Sequence, residues 1–315
     1  MAKGDELPSA YGGKGWSQRE KTHREEIGEI WTLCGVNTEW RKLKSVLLHK
    51  PGKELQVDKP ESAQMLEQVD FHQAQQEYQN LIDAYEEEGI EVHLVKPQTT
   101  PPPNLVFMAD LFFMTPEGAI LARPASTVRA GEERIVLREL ANIGIPMLGQ
   151  IRANGTFEAA DATWLEKNSA LVADGLRTNV SGAQQLKGIL EEIGVEVIRV
   201  GLPIGSMHLM GVLRFLSKEK AIVWPGRTPY RAVEALKNSG YDVLFAPDLR
   251  EAKNGMALNF VTLDSNKILM PKGNPVTKKF LEDIGVDCLT VSITELSKAA
   301  GGIGCMTGIL ERELK

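Results

Sequence analysis

The chain has 315 residues, 43% of them hydrophobic and 25% charged, with 36 basic against 42 acidic side chains and a formal net charge of −6. That balance supplies a large apolar core and excludes a disordered or fibrous chain. The basic residues are scattered, which argues against a nucleic-acid partner. No uncharged apolar run reaches the roughly eighteen residues of a membrane helix, so no membrane partner is expected.

In chain order, the opening MAKGDELPSAYGGKGWSQREKTHREE lacks the apolar middle of a secretory signal. Residues 1–38 read as a polar, Gly-bearing extension, and a reducing cytoplasm is the expected location. The three cysteines, Cys34, Cys288 and Cys305, are widely spaced without a C-x-x-C, and the five histidines never pair at i, i+4. Neither a disulfide framework nor a metal is expected.

From residue 39 to 315 one pattern recurs. A short apolar strand, SVLLH (45–49), passes through the turn HKPG to a helix-like stretch that closes at Gly89 and opens a second strand. The unit returns as GAILAR (118–123) before LANIGIPML, SALVAD (169–174) before LEEIGVEVIRV, KAIVWP (220–225) before LKNSGYDVLFA, and KILMP (267–271) before LEDIGVDCLTV. The closing glycines, Gly89, Gly144, Gly194, Gly240 and Gly285, are 55, 50, 46 and 45 residues apart. Glycine is the expected residue just past a helix end, where the chain turns through a left-handed conformation. A further strand-like run precedes four of the units (DLFFMTP, DATWLE, HLMGVLRFLS, LNFVTLD), and GILERE ends the chain.

Five ββαβ units that cannot bury an apolar face alone point to a five-bladed, pseudo-fivefold α/β propeller forming one catalytic domain. The same alternation could build a doubly wound sheet, but no Gly-x-Gly-x-x-Gly follows a strand and nucleotide binding has no support. QTTPPP (98–103) reads as a stiff loop between blades.

In a propeller the starts of the axial strands converge, and they carry Asp110, Glu158, Asp161, His208, Asn259 and Cys305. Cys305, His208 and Glu158 make a catalytic set: a thiol nucleophile, a proton carrier and a carboxylate that orders them. Glycines 301, 302 and 304 would let backbone approach a ligand closely. Two further carboxylates, Asp110 and Asp161, suit a cationic substrate, best a planar guanidinium. Cys34 and Cys288 read as small buried hydrophobes, Cys288 filling the slot held by Val92, Val197 and Val243 in other units.

These segments resemble those of a known family. PNLVFMAD, FEAAD, GLRTN, MHL and GGIGCMT, in this order, are similar to motifs of the arginine deiminase, amidinotransferase and dimethylarginine dimethylaminohydrolase superfamily, whose guanidine-modifying members share the pentein fold. The resemblance implies a cysteine-dependent hydrolase that needs no cofactor and cleaves a C–N bond of a guanidino or amidino compound through a covalent S-amidino intermediate on Cys305. His208 would serve the leaving amine, Glu158 would order the guanidinium and Asp110 would clamp its nitrogens. Asn104, Arg129, Asp161 and Arg177 would hold the rest of the substrate, the arginines facing a carboxylate where the substrate has one. Met210 stands where deiminases carry an aspartate, and Ala159 and Ala160 replace two glycines, so free arginine is a doubtful substrate.

An amidinotransferase, in which an amine rather than water takes the amidino group, is the alternative. A non-catalytic binding scaffold is the third reading, and it gives no reason for Cys, His and carboxylates at one axis. A homodimer is allowed, but no exposed apolar stripe argues for it.

Overall fold

The computed structural model describes residues 7–314; the first six residues of the expected extension lie outside them. Among the described residues fifteen strands form five separate three-stranded sheets, which excludes a doubly wound sheet. In the second blade β3 (Phe112–Thr115) runs antiparallel to β4 (Gly118–Leu121), and the helix Glu132–Ile143 carries the chain to β5 (Met147–Gln150), parallel to β4. The third blade repeats this with β6 (Ala162–Glu166), β7 (Ser169–Asp174), helix Val180–Glu192 and β8 (Glu196–Gly201). The fourth uses β9 (Leu213–Phe215), β10 (Lys220–Val223), helix Tyr230–Asn238 and β11 (Asp242–Phe245). The fifth uses β12 (Val261–Asp264), β13 (Lys267–Pro271), helix Pro275–Asp283 and β14 (Asp287–Val291).

The first blade is closed by both ends of the chain. β1 (Leu43–Leu48) pairs in parallel with β2 (Glu91–Leu94) across the helix Phe71–Glu87, and antiparallel with the last strand, β15 (Gly308–Arg312), in the register Val46↔Ile309. Buried residues reach further back than residue 39. Cys34, Val36, Asn37 and Thr38 are all buried, and Gly35 exchanges backbone hydrogen bonds with Leu310 and Arg312, adding to the edge of β15.

Local chemistry sets the elements. Asp70 and Asn179 accept the orphan N–H groups of Gln73 and Gly182 at their helix starts. All five repeat glycines have positive φ, between 70° and 90°, so each ends its helix without the strain a side chain would bring. The middle strands β4, β7, β10 and β13 are almost wholly buried because helices cover one face and neighbouring blades the other. Trp164 of β6 is 1% exposed, stacks on Phe113 and gives its indole N–H to the Met114 carbonyl at 3.1 Å, tying the second and third blades together. No helix among the described residues is long and apolar enough to cross a membrane.

Short turns, Met108–Asp110, Ala159–Asp161, Leu209–Gly211 and the single-turn helix Ile303–Met306, introduce or flank the axial strands and pack against one another. This ring is where the candidate site lies.

Candidate active site

Cys305 sits in the short helix Ile303–Met306, half-buried, in a loop set close by three glycines. A Cβ on Gly301 would fall 2.1 Å from the Phe107 ring, one on Gly302 2.8 Å from Asn259 Cβ, and one on Gly304 2.9 Å from Asn259 Oδ1. The glycines let this loop pack closely on Phe107 and Asn259, and Gly301 also lines the cavity that holds Cys305. Asn259 in turn grips the cysteine: its Nδ2 donates to Sγ at 2.9 Å and its Oδ1 accepts the Cys305 backbone N–H at 3.1 Å. Burial and the nearby Asp110 carboxylate push the thiol up, while Asn259, the Gly302 amide and Arg214 pull it down; the net direction is up.

His208 Nε2 lies 2.7 Å from Glu158 Oε2, and its Nδ1 faces Asp110 Oδ1 at 3.8 Å. Burial alone would lower the imidazole, but Asp110, Asp161 and Glu158 outweigh it and raise it to about 9. Burial would raise Glu158; the hydrogen bond and charge of His208, with Arg129 and Arg177, hold it well below the usual carboxylate range. The resting site thus holds an imidazolium–carboxylate pair beside a neutral thiol.

Asp110 Oδ2 accepts from Arg129 at 2.5 Å, and its Oδ1 is buried without a hydrogen-bond partner among the described residues. Arg129 is itself 3% exposed and saturated: Glu132 Oε2 takes Nε at 2.9 Å and Nη2 at 2.8 Å. It nonetheless lines the cavity that holds Cys305 and His208. Arg177 is freer, 3.4 Å from Glu158 Oε1. Asn104 lines the cavity that holds Cys305 and gives its amide to the Ala63 carbonyl at 2.8 Å, which ties it to the turn 60–63.

Asp161 does not reach this space. Its two oxygens take the Thr178 hydroxyl at 2.6 Å and the Leu209 N–H at 3.1 Å, so it fixes the backbone beside His208 instead of binding substrate; burial raises it to about 6. Met210 borders the axial space and a larger neighbouring cavity, not the small one that holds Asp110.

Cys305, His208, Asp110, Asn104, Arg129 and Arg177 line one cavity of about 30 Å³. Asp110, Glu158 and His208 could each offer a ligand atom to a metal ion, all within 4.8 Å of one another. The Arg129 guanidinium already touches both carboxylates and supplies positive charge there. Sequence reasoning named Asn259 without giving it a task, and it missed Glu132, whose place in a helix first turn looks like ordinary end chemistry. Cys34 and Cys288 are buried, burial pushing their thiols up to about 12 and about 11.

Five ββαβ blades around an axis that carries a cysteine, a histidine and buried carboxylates place this chain among the guanidine-modifying enzymes of pentein fold. The family described as N,N dimethylarginine dimethylhydrolase, eukaryotic, matches residues 57–311, most of the chain, and the chain belongs to it. It is a cysteine-dependent hydrolase acting on a C–N bond of a guanidino or amidino compound. The N(G),N(G)-dimethylarginine dimethylaminohydrolase of Pseudomonas aeruginosa is 25% identical over 238 residues, covering 76% of this chain and 89% of that protein. The solved structure of a dimethylarginine dimethylaminohydrolase mutant from Pseudomonas aeruginosa with citrulline superposes with a TM-score of 0.72 at 23% identity, over 85% of this chain and 99% of that one. An amidinotransferase of the saxitoxin pathway from Microseira wollei reaches 0.72 at 19% identity, over 90% and 98%.

Proposed function

We propose that Cys305 is the nucleophile, His208 the proton carrier and Glu158 its ordering carboxylate in hydrolysis of a substituted guanidine. The observation that supports this best is the unpartnered Asp110 Oδ1, buried in the same small cavity as the Cys305 thiol and the His208 ring. A buried carboxylate oxygen without a donor costs free energy, and a guanidinium N–H supplies the missing donor.

The chemistry follows from the charges. An arriving guanidinium offsets the Asp110 charge that holds the thiol up, so the thiol gives its proton to solvent. The thiolate adds to the guanidinium carbon, forming a C–S bond. The His208 imidazolium passes its proton to one nitrogen, that C–N bond breaks and the amine leaves, with a cationic S-amidino group left on Cys305. Neutral His208 then takes a proton from water as the oxygen adds to the same carbon. The C–S bond then breaks as the new hydroxyl gives its proton to solvent, which returns the thiolate and releases the neutral ureido product, with His208 again an imidazolium.

Wild type and Cys305→Ala are incubated with arginine, methylated arginines, agmatine, guanidinoacetate, guanidinobutyrate and citrulline, reading released ammonia or alkylamine and intact protein mass. Release by wild type alone, with an adduct mass on Cys305, is the expected result. Turnover by Cys305→Ala, or a Cys305 inert to alkylation, overturns the assignment. The amidinotransferase reading differs only in the second nucleophile; added glycine, lysine or ornithine would then accept the amidino group.

A further inference from the structure

The strands that meet at the axis present mostly apolar side chains to the space between them. Phe112 of β3, Ala162 of β6, Val261 of β12 and Ile309 of β15 line a cavity of about 60 Å³ there. The contribution of β9 is Arg214, 8% exposed, so one blade sets a guanidinium where the others set carbon. A buried cation costs free energy unless it is paired, and among the described residues Arg214 forms no ion pair. It is held instead by the Phe260 carbonyl, which accepts from Nη2, and by the Phe260 ring, whose centroid lies 5.4 Å from the guanidinium carbon.

Phe260 follows the residue that grips the cysteine. Asn259 takes the Gly304 N–H on its carbonyl at 3.1 Å and the Cys305 N–H on Oδ1 at 3.1 Å, and gives Nδ2–H to Sγ at 2.9 Å. The turn that delivers Asn259 is strained, because Met256 has a φ of 52°, a left-handed conformation that a side chain resists. The bond from Arg214 pins the end of this turn. Gly304 packs on the same Phe260 carbonyl, to which a Cβ there would come within 3.3 Å.

The other charges about Cys305 have partners or face solvent. Arg129 and Arg177 are paired with carboxylates, His208 with Glu158, and Asp110 with Arg129. Arg227 and Lys253 line the larger cavity beside Cys305, the first half-buried and the second exposed, where water screens them. Of the cations about Cys305, Arg214 alone is both buried and unpaired among the described residues, and its charge favours the thiolate.

We propose that Arg214 is a positioning residue of the nucleophile: it fixes the Asn259–Phe260 peptide that grips Cys305 and keeps an unpaired positive charge within reach of the forming thiolate. The proposal rests on the hydrolase reading above, which makes Cys305 the nucleophile.

The test compares wild type with Arg214→Met, Arg214→Gln and Arg214→Lys in two measurements, the pH midpoint of Cys305 alkylation by iodoacetamide, read by intact mass, and the urea midpoint of unfolding. Methionine and glutamine raise the alkylation midpoint by at least about half a unit, and lysine, which keeps the charge, recovers most of that shift. The urea midpoint of Arg214→Met stays at or above that of wild type, because a buried unpaired charge is gone. On a guanidine that wild type turns over, kcat of Arg214→Met falls about tenfold with KM little changed. An alkylation midpoint unmoved in folded Met and Gln variants, or a Lys variant no nearer wild type than Gln, overturns the proposal. So does a urea midpoint that falls without a shift of the thiol, the outcome of a purely structural role. Where the Met and Gln variants fail to fold, Glu39→Gln decides. It removes the one carboxylate lining the axial cavity and keeps an acceptor for the Trp164 N–H, so the alkylation midpoint moves down; a midpoint unmoved or raised overturns the proposal. If no guanidine is turned over, the hydrolase reading fails, while the alkylation midpoints still decide whether Arg214 controls the thiol.

Discussion

Asn259→Ala tests the state of the nucleophile most directly. The amide gives Nδ2–H to Sγ at 2.9 Å and receives the cysteine's own N–H at 3.1 Å. A hydrogen bond to the thiolate stabilises the charged form by about 1.5–3 kcal/mol. With about 1.4 kcal/mol per pH unit, its loss raises the thiol's titration midpoint by about one to two units. The sign follows from which form is charged: removing a donor disfavours the thiolate, so the midpoint moves up, in the same direction as burial and Asp110 already push it. A more basic thiolate is also a better nucleophile, with a Brønsted slope of about 0.5, so at a fixed pH below the midpoint alkylation slows only about 3–10-fold.

The assay is the rate of iodoacetamide addition to Cys305 from pH 6 to 10, followed by intact mass. Cys34 and Cys288 contribute little background, being buried with thiols pushed up to about 12 and about 11. Asn259→Asp, which sets a carboxylate against sulfur, moves the midpoint further up than alanine does. A midpoint unmoved or lowered in a folded Asn259→Ala variant refutes the assigned grip.

Glu158→Gln removes the carboxylate 2.7 Å from His208 Nε2, so the imidazolium is less favoured and the alkaline limb of the kcat–pH profile moves to lower pH; an unmoved limb contradicts the pairing. His208 is raised from 6.5 to about 9 in the folded chain, so its ion pairs add stability in full below about pH 6.5, and that stability is lost as pH rises through about 9. Accordingly the gap in thermal stability between wild type and His208→Gln narrows between pH 6.5 and 9.5 in differential scanning calorimetry. Arg214→Met removes a buried cation that pulls the Cys305 thiol down, and it slows alkylation at pH 8; an unchanged rate contradicts that pull. Gly301→Ala puts a Cβ 2.1 Å from the Phe107 ring and costs about 1–3 kcal/mol in urea unfolding, partly restored by Phe107→Leu.

The periodic glycines made the fold legible. Each needs a positive φ that other residues resist, so their spacing marks helix ends directly, and the five sheets follow from the strands on either side. Convergence of Cys305, His208 and Asp110 follows from the repeat, because equivalent turns of successive blades meet at the axis. What each carboxylate does there was less legible. Asp161 looks like a substrate ligand in the pattern FEAAD, yet Thr178, seventeen residues away, takes one of its oxygens. Arg129 reads as a free cation until Glu132, one helical turn on, is seen folded back on it. Arg227 lies in WPGRTP, whose prolines and glycine announce only a turn; its exposure to a cavity depends on where the blades place Met210 and Met256.

These placements together give the site an asymmetry. On one side of the reacting carbon stand Asp110, Glu158, Arg129 and Arg177, a nearly neutral set of paired charges with one open oxygen at Asp110 Oδ1. On the other side the charge expected at position 210 is replaced by a thioether, and the wall turns apolar until Arg227 and Lys253 are reached. A guanidinium held by two carboxylates is fixed on both edges; one held by Asp110 alone leaves its second edge open to bear a substituent. Met210, standing where the resemblance would put an aspartate, therefore sets a soft apolar thioether rather than a second charge between the axial space and the larger cavity.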